Sequence, residues 1–273
     1  MKRETWRMYD RFNRSINYLR ISVTDRCNLR CKYCMPADGI ELMNHEDLLS
    51  FDEIVDVVKQ AVHNGITKIR LTGGEPLVRK GIVDLVRMIS ALNGVEDLSM
   101  TTNGILLEKY AMELKEAGLK RVNISLDTVD ELKYSDITRG GRLNDVFTGI
   151  DKAIEVGFDP IKINCVVMDS ANEPDALEVK KYAESKGLKV RFIHQMDLET
   201  GHFSKVEGGE GGDCKSCNRL RLSATGGFKP CLFNNACFNV KEFGIQGALE
   251  RAVECKPRSG SKNNSGKFYN IGG

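Results

Sequence analysis

Cys27, Cys31 and Cys34 stand in the run CNLRCKYC, a C-x3-C-x2-C spacing that constrains the chain more than anything else in it. Three thiols on so short a loop cannot pair off as disulfides without leaving one over. Zinc takes four ligands, and no histidine or fourth cysteine lies nearby in sequence. Three thiolates can all turn onto one iron–sulfur cube. Such a cube keeps one of its irons free for a substrate or cofactor. A zinc knuckle or a set of structural thiols is the plainer reading. The apolar, strand-like stretch 19–23 leading into the loop favours the cluster.

The remainder of the chain is compatible with that chemistry. Nine cysteines, with no apolar leader in the basic start MKRETWRMYDRFNRS, point to metal or redox work in a reducing cytosol. A cytoplasmic location is therefore expected. Lys+Arg 40 against Asp+Glu 38 leaves a net charge of +2, which argues against a nucleic-acid or membrane-surface partner. No apolar run is long enough to span a bilayer.

Hydrophobic periodicity divides the chain into alternating strands and helices. Residues 1–16 read as a polar arm lying on the body. Strands are expected at 19–24, 67–72, 96–102, 121–127, 160–168 and 188–196, with helices between them. Ser50 and Glu53 form a capping-box signature ahead of the apolar positions Ile54, Val57, Val58, Ala61 and Val62. This alternation demands a parallel sheet with helices outside. The fold class is α/β, an open six-stranded (β/α)6 partial TIM barrel over 17–197, with a flat doubly wound sheet as the competing arrangement. After residue 197 the alternation stops. Residues 200–213, containing GGEGG, read as a flexible linker. Residues 198–273 are expected to form a small auxiliary domain.

The cysteine loop after a first strand resembles that of the radical SAM enzymes. The resemblance implies a [4Fe-4S] cluster on Cys27, Cys31 and Cys34, and S-adenosyl-L-methionine bound to its open iron. In the family, reductive cleavage of that cofactor releases a 5′-deoxyadenosyl radical. GGEP at 73–76 follows the second strand, where paired glycines let backbone groups approach a ligand closely. Alone it reads equally well as a strand-to-helix turn. With the cysteine loop one strand earlier, it is similar to the family's motif for the methionine amino group. Gly73, Gly74 and Glu75 are thereby implied as cofactor residues, together with Tyr33, Ser125 and Met196.

A second set, Cys214, Cys217 and Cys231, has the spacing C-x2-C-x13-C. Zinc remains an alternative here, with His202 or Cys237 as fourth ligand. Arg219 and Arg221, two apart in NRLRL, share one face of a strand. Guanidinium forks suit phosphate or carboxylate oxygens. Arg20, Arg70, Lys162 and Arg191 each interrupt an apolar strand. Burying that many cations costs several kcal/mol each without an anion to meet them. Cys165 reads as core, and Cys237 and Cys255 carry no assignment.

The second cysteine set, NRLRL and the terminal Gly272-Gly273 closely resemble the GTP 3′,8-cyclases of molybdenum-cofactor biosynthesis. That resemblance implies a second [4Fe-4S] cluster and a lyase acting on GTP or a related nucleotide. It implies substrate contacts at Arg20, Lys68, Arg70, Thr101, Lys162, Arg191, Arg219 and Arg221. Arg219 and Arg221 are also implied in catalysis, together with Gly272 and Gly273 as a tail reaching the site. A flavodoxin- or ferredoxin-like reductant, a downstream pterin-forming enzyme and a homodimer are the implied partners. The chain departs from the family in its short 198–213 segment and in having His194 where an acidic residue is common. A radical SAM enzyme acting on a peptide or another nucleotide, and a non-catalytic iron–sulfur carrier, are the other readings.

Overall fold

The computed structural model describes residues 7–36 and 38–264. Six strands follow in chain order: β1 (Tyr18–Ser22), β2 (Lys68–Thr72), β3 (Asp97–Thr102), β4 (Arg121–Ser125), β5 (Lys162–Val167) and β6 (Lys189–His194). Each pairs parallel with the next. The intervening helices are α1 (Phe51–His63), α2 (Ile82–Ser90), α3 (Leu107–Glu116), α4 (Glu131–Thr138), α5 (Leu143–Glu155) and α6 (Pro174–Ser185). The capping box closes as read: Ser50 Oγ accepts from Glu53 N at 3.2 Å, and Ser50 N donates to Glu53 Oε2 at 2.7 Å. α1 then buries Ile54, Val57, Val58 and Ala61 against the sheet.

Strand period and register sort the side chains. Leu19, Ile21, Ile69, Leu71, Met100, Val122, Ile124 and Ile163 are wholly buried in the main core. Fully burying such a side chain contributes about 1.5–3 kcal/mol. The alternate positions are polar. Arg20 lies opposite Arg70 on one side and Arg221 on the other, while Asn123 lies opposite Lys162, and Asn164 opposite Arg191. One face of the sheet is hydrocarbon and the other is a cationic wall.

The sheet does not end at six strands. β7 (Arg219–Leu222) adds to it in parallel on the outer side of β1, with Leu220 opposite Leu19 and Leu222 opposite Ile21. β8 (Gly227–Lys229) and β9 (Phe238–Asn239) follow antiparallel. The order is β6-β5-β4-β3-β2-β1-β7-β8-β9. α7 (Val240–Glu254) contributes Ala248, Leu249, Ala252 and Val253 to the same core, along with Leu220, Leu222 and Phe228. The stretch after 197 thus shares the main sheet and core. Its own cluster is small: Leu198, Leu232 and Phe233.

The sheet is curled, since Arg191 on β6 and Arg219 on β7 line one cavity. Residues 204–213 cross the gap between these strands. Phe192 and Glu207 exchange two backbone hydrogen bonds of 3.0 Å, and Arg219 Nη2 donates to Glu210 O at 2.7 Å. A Cβ on Gly208 would fall 2.6 Å from Val190 O, and one on Gly212 2.0 Å from Ser204 O. Both have φ in the left-handed region, +73° and +76°. The GGEGG run is a hydrogen-bonded strap, not the free linker that its composition suggests.

Candidate active site

At the carboxyl end of the sheet, Cys27, Cys31 and Cys34 occupy the loop after β1. Their side chains are close enough for the charges to interact, and none forms a disulfide. Burial pushes Cys31 up to about 12, helped by Asp127 and the other two cysteines. Burial and Cys27 bring Cys34 to about 11. Such thiols keep their protons at neutral pH until a cation displaces them, as a cationic iron site does. Among the described residues, no three His, Cys, Asp or Glu side chains converge as a single metal ion needs. A cube spreads its thiolates over separate irons and asks only that they face one space.

The loop after β2 runs against this one. Gly74 N donates to Thr24 O at 2.7 Å, and Glu75 N to Arg26 O at 2.8 Å. A Cβ on Gly73 would meet Thr24 O at 2.6 Å, and one on Gly74 would meet Arg26 O at 2.3 Å. The glycines therefore allow the contact that seats the cysteine loop. Glu75 is 1% exposed. Its Oε1 accepts from Thr102 Oγ1 at 2.8 Å and Leu77 N at 3.0 Å, and its Oε2 from Asn103 N at 2.7 Å. Burial outweighs these donors and pushes the carboxyl up to about 7. Asn103 in turn directs Nδ2 toward Cys27 Sγ, 3.8 Å away. Tyr33 OH donates to Asp127 Oδ2 at 2.8 Å, and Val166 N holds Oδ1 at 2.8 Å.

A cavity of about 500 Å³ is lined by the first residues of β1, β2, β4, β5 and β7, namely Tyr18, Lys68, Arg121, Lys162 and Arg219. Its lining includes Arg20, Lys68, Arg70, Lys162, Arg191, Arg219 and Arg221, together with Met196 and all of Cys214, Cys217 and Cys231. Nine cationic side chains face two carboxylates, Glu210 and Asp213, so the space suits a polyanion. Burial lowers Arg20 well below its ordinary value, aided by Arg221, Arg70 and Arg219. Burial and Arg219 take Arg221 to about 10, and burial with Arg191, Arg121, Arg70 and Lys189 takes Lys162 to about 8. Asn164 Oδ1 and Arg191 Nε, both on the cavity wall, are buried polar atoms with no hydrogen-bond partner among the described residues. Unsatisfied groups of this kind call for an occupant.

Tyr33, Gly73, Gly74, Glu75, Ser125 and Thr101 do not line that cavity; Tyr33 and the glycine run lie in the loops after β1 and β2, Ser125 ends β4 and Thr101 stands opposite Asn123 within the sheet. The usual concentration of function at the carboxyl ends of barrel strands describes only half of this site. Cys214 and Cys217 precede β7 and so stand at its amino end. Gly272 and Gly273 lie outside the described residues.

Several side chains escaped the sequence reading. Arg121 lines the cavity and is held by Asp97 on the neighbouring strand through Nε to Oδ1 at 2.8 Å. Arg14 of the arm donates to Cys214 O at 2.6 Å, Pro257 O at 2.6 Å and Arg258 O at 3.2 Å, with Asp10 Oδ2 2.6 Å from its Nε. Asn164 and Lys256 complete the set. Charged residues inside apolar strands were the available signal, and neither Arg14 nor Lys256 has that context.

Residues 21–183 match the radical SAM superfamily. The protein resembles the S-adenosylmethionine-bound SuiB of Streptococcus suis, with a TM-score of 0.63 at 16% identity, over 90% of this chain and 66% of that one. It also resembles anSMEcpe with bound AdoMet, with a TM-score of 0.60 at 17% identity, over 86% of this chain and 79% of that one. Both support the partial-barrel fold. A curled sheet, a three-cysteine loop after its first strand and this match make the chain a radical SAM protein. Within that class it belongs to the GTP 3′,8-cyclase family. The "GTP 3',8-cyclase" of Moorella thermoacetica is 41% identical, over 92% of this chain and 94% of its own length. That of Alkaliphilus oremlandii is 40% identical, over 92% and 93%. The Moorella alignment runs over 303 positions, more than this chain's 273 residues, so the relative carries internal segments that are missing here.

Proposed function

We propose that the chain is a GTP 3′,8-cyclase, converting GTP to (8S)-3′,8-cyclo-7,8-dihydroguanosine 5′-triphosphate in the first step of molybdopterin biosynthesis. The observation that carries this reading is a cavity lined by nine cationic side chains together with Cys214, Cys217 and Cys231. When bound, a cluster on Cys27, Cys31 and Cys34 with S-adenosyl-L-methionine supplies a 5′-deoxyadenosyl radical. Gly73, Gly74, Glu75, Tyr33, Ser125 and Met196 position that cofactor. Arg20, Lys68, Arg70, Lys162 and Arg191 neutralise the triphosphate, and Thr101 meets the nucleotide from the middle of the sheet. Cys214, Cys217 and Cys231 hold a second [4Fe-4S] cluster facing the base. Arg219 and Arg221 offset charge beside it, and Gly272-Gly273 form the tail that reaches the site. A small electron-carrier protein supplies the reducing equivalent, and a pterin-forming enzyme takes the product.

Anaerobic reconstitution should give about eight irons per chain, four in each of two cubes. Incubation with GTP, S-adenosyl-L-methionine and reductant should yield 5′-deoxyadenosine in step with a cyclised nucleotide of unchanged GTP mass. Cofactor cleavage without any nucleotide product would remove the cyclase reading and favour another radical SAM substrate. No cleavage at all in the loaded protein would favour a carrier.

A further inference from the structure

Lys256 follows α7 and is 2% exposed. Its Nζ donates to Arg219 O at 2.6 Å and Pro230 O at 2.8 Å. The first carbonyl lies two residues beyond Cys217, and the second immediately precedes Cys231. The Cys217 and Cys231 side chains are near enough for their charges to act on the same ammonium. Among the described residues, the charged groups bearing most on it are Cys217, Cys231 and Arg14. A buried ammonium among neutral groups is costly. Beside two thiolates it is not.

We propose that Lys256 is a positioning residue for the second cysteine set, tying the segments that carry Cys217 and Cys231 and supplying the positive charge against which their sulfurs hold iron. The proposal rests on the reading of Cys214, Cys217 and Cys231 as a cluster site. A fixed cation beside a cluster favours the more negative, reduced form. Its removal therefore disfavours reduction of that cluster alone.

The test compares the reconstituted full chain with Lys256→Gln and Lys256→Arg, by iron content and by a redox titration followed by electron paramagnetic resonance. Lys256→Gln should keep the first cluster's midpoint and move the second to more negative potential. A tenfold change in its reduction equilibrium corresponds to about 59 mV for one electron. Lys256→Arg should stay near the parent. Loss of the second cluster in Lys256→Gln but not in Lys256→Arg also supports the proposal. An unmoved second midpoint in a fully loaded Lys256→Gln protein overturns it, as does equal loss of the second cluster in both variants. Four irons in the parent chain would instead remove the two-cluster reading itself.

Discussion

Lys162 is brought to about 8 by burial and by Arg191, Arg121, Arg70 and Lys189. In the empty cavity its charge is lost as pH rises through 8, and a bound triphosphate restores it. GTP affinity should therefore fall above pH 8 and be accompanied by proton uptake, measurable by calorimetry in buffers of different ionisation heat. Lys162→Met should remove that inflection and weaken GTP about tenfold to a hundredfold, as expected for a charge-assisted hydrogen bond. The stability effect has the opposite sense. The unfolded chain binds more protons between about 8 and the ordinary lysine value, so stability rises with pH across that window. Arg20, Arg70, Lys162 and Arg191 were legible in the sequence because a cation in an apolar strand has few destinations. Arg121 was not, because its partner Asp97 is supplied by register with β3 and not by proximity in sequence.

The loops carry the cysteine sets, and each loop depends on a neighbour. Gly74→Ala would drive a Cβ to 2.3 Å from Arg26 O, a clash costing about 1–3 kcal/mol. Iron content should drop toward the share of the second site alone. Gly247→Ala on α7, whose nearest neighbour would stand at 3.7 Å, should leave iron content unchanged. Arg14 links Cys214 to Pro257 and Arg258 while Asp10 holds it from behind. Arg14→Met removes the guanidinium from Asp10, whose Oδ1 keeps the Phe12 and Arg14 amides, a loss of about 1.5–3 kcal/mol. A lowered thermal midpoint, with the second site depleted before the first, is the expected outcome. The βα alternation and the capping box of α1 could be read locally because periodicity and caps are local. The strap at 204–213 could not, since glycine composition does not distinguish a free chain from one packed tightly against Val190 and Ser204.

Across the whole molecule, the two cysteine sets are far apart in sequence and yet ride on neighbouring strands, β1 and β7. The sequence reading anticipated the six parallel strands but not this pairing, because a short Arg-Leu-Arg-Leu strand gives no hint of which edge it joins. Nine cations around one cavity also imply a strong salt dependence of GTP binding, since screening lengths shrink to about 8 Å at physiological ionic strength. The pairing of β7 with β1 has a consequence for biosynthesis. A strand made among the first few dozen residues must wait for one made beyond residue 218 before its outer edge is covered. While the ribosome is still at work, that edge is open to any passing strand. A fragment halted at residue 213 should therefore sediment as aggregates, whereas co-expression of 214–273 as a separate piece should return it to solution.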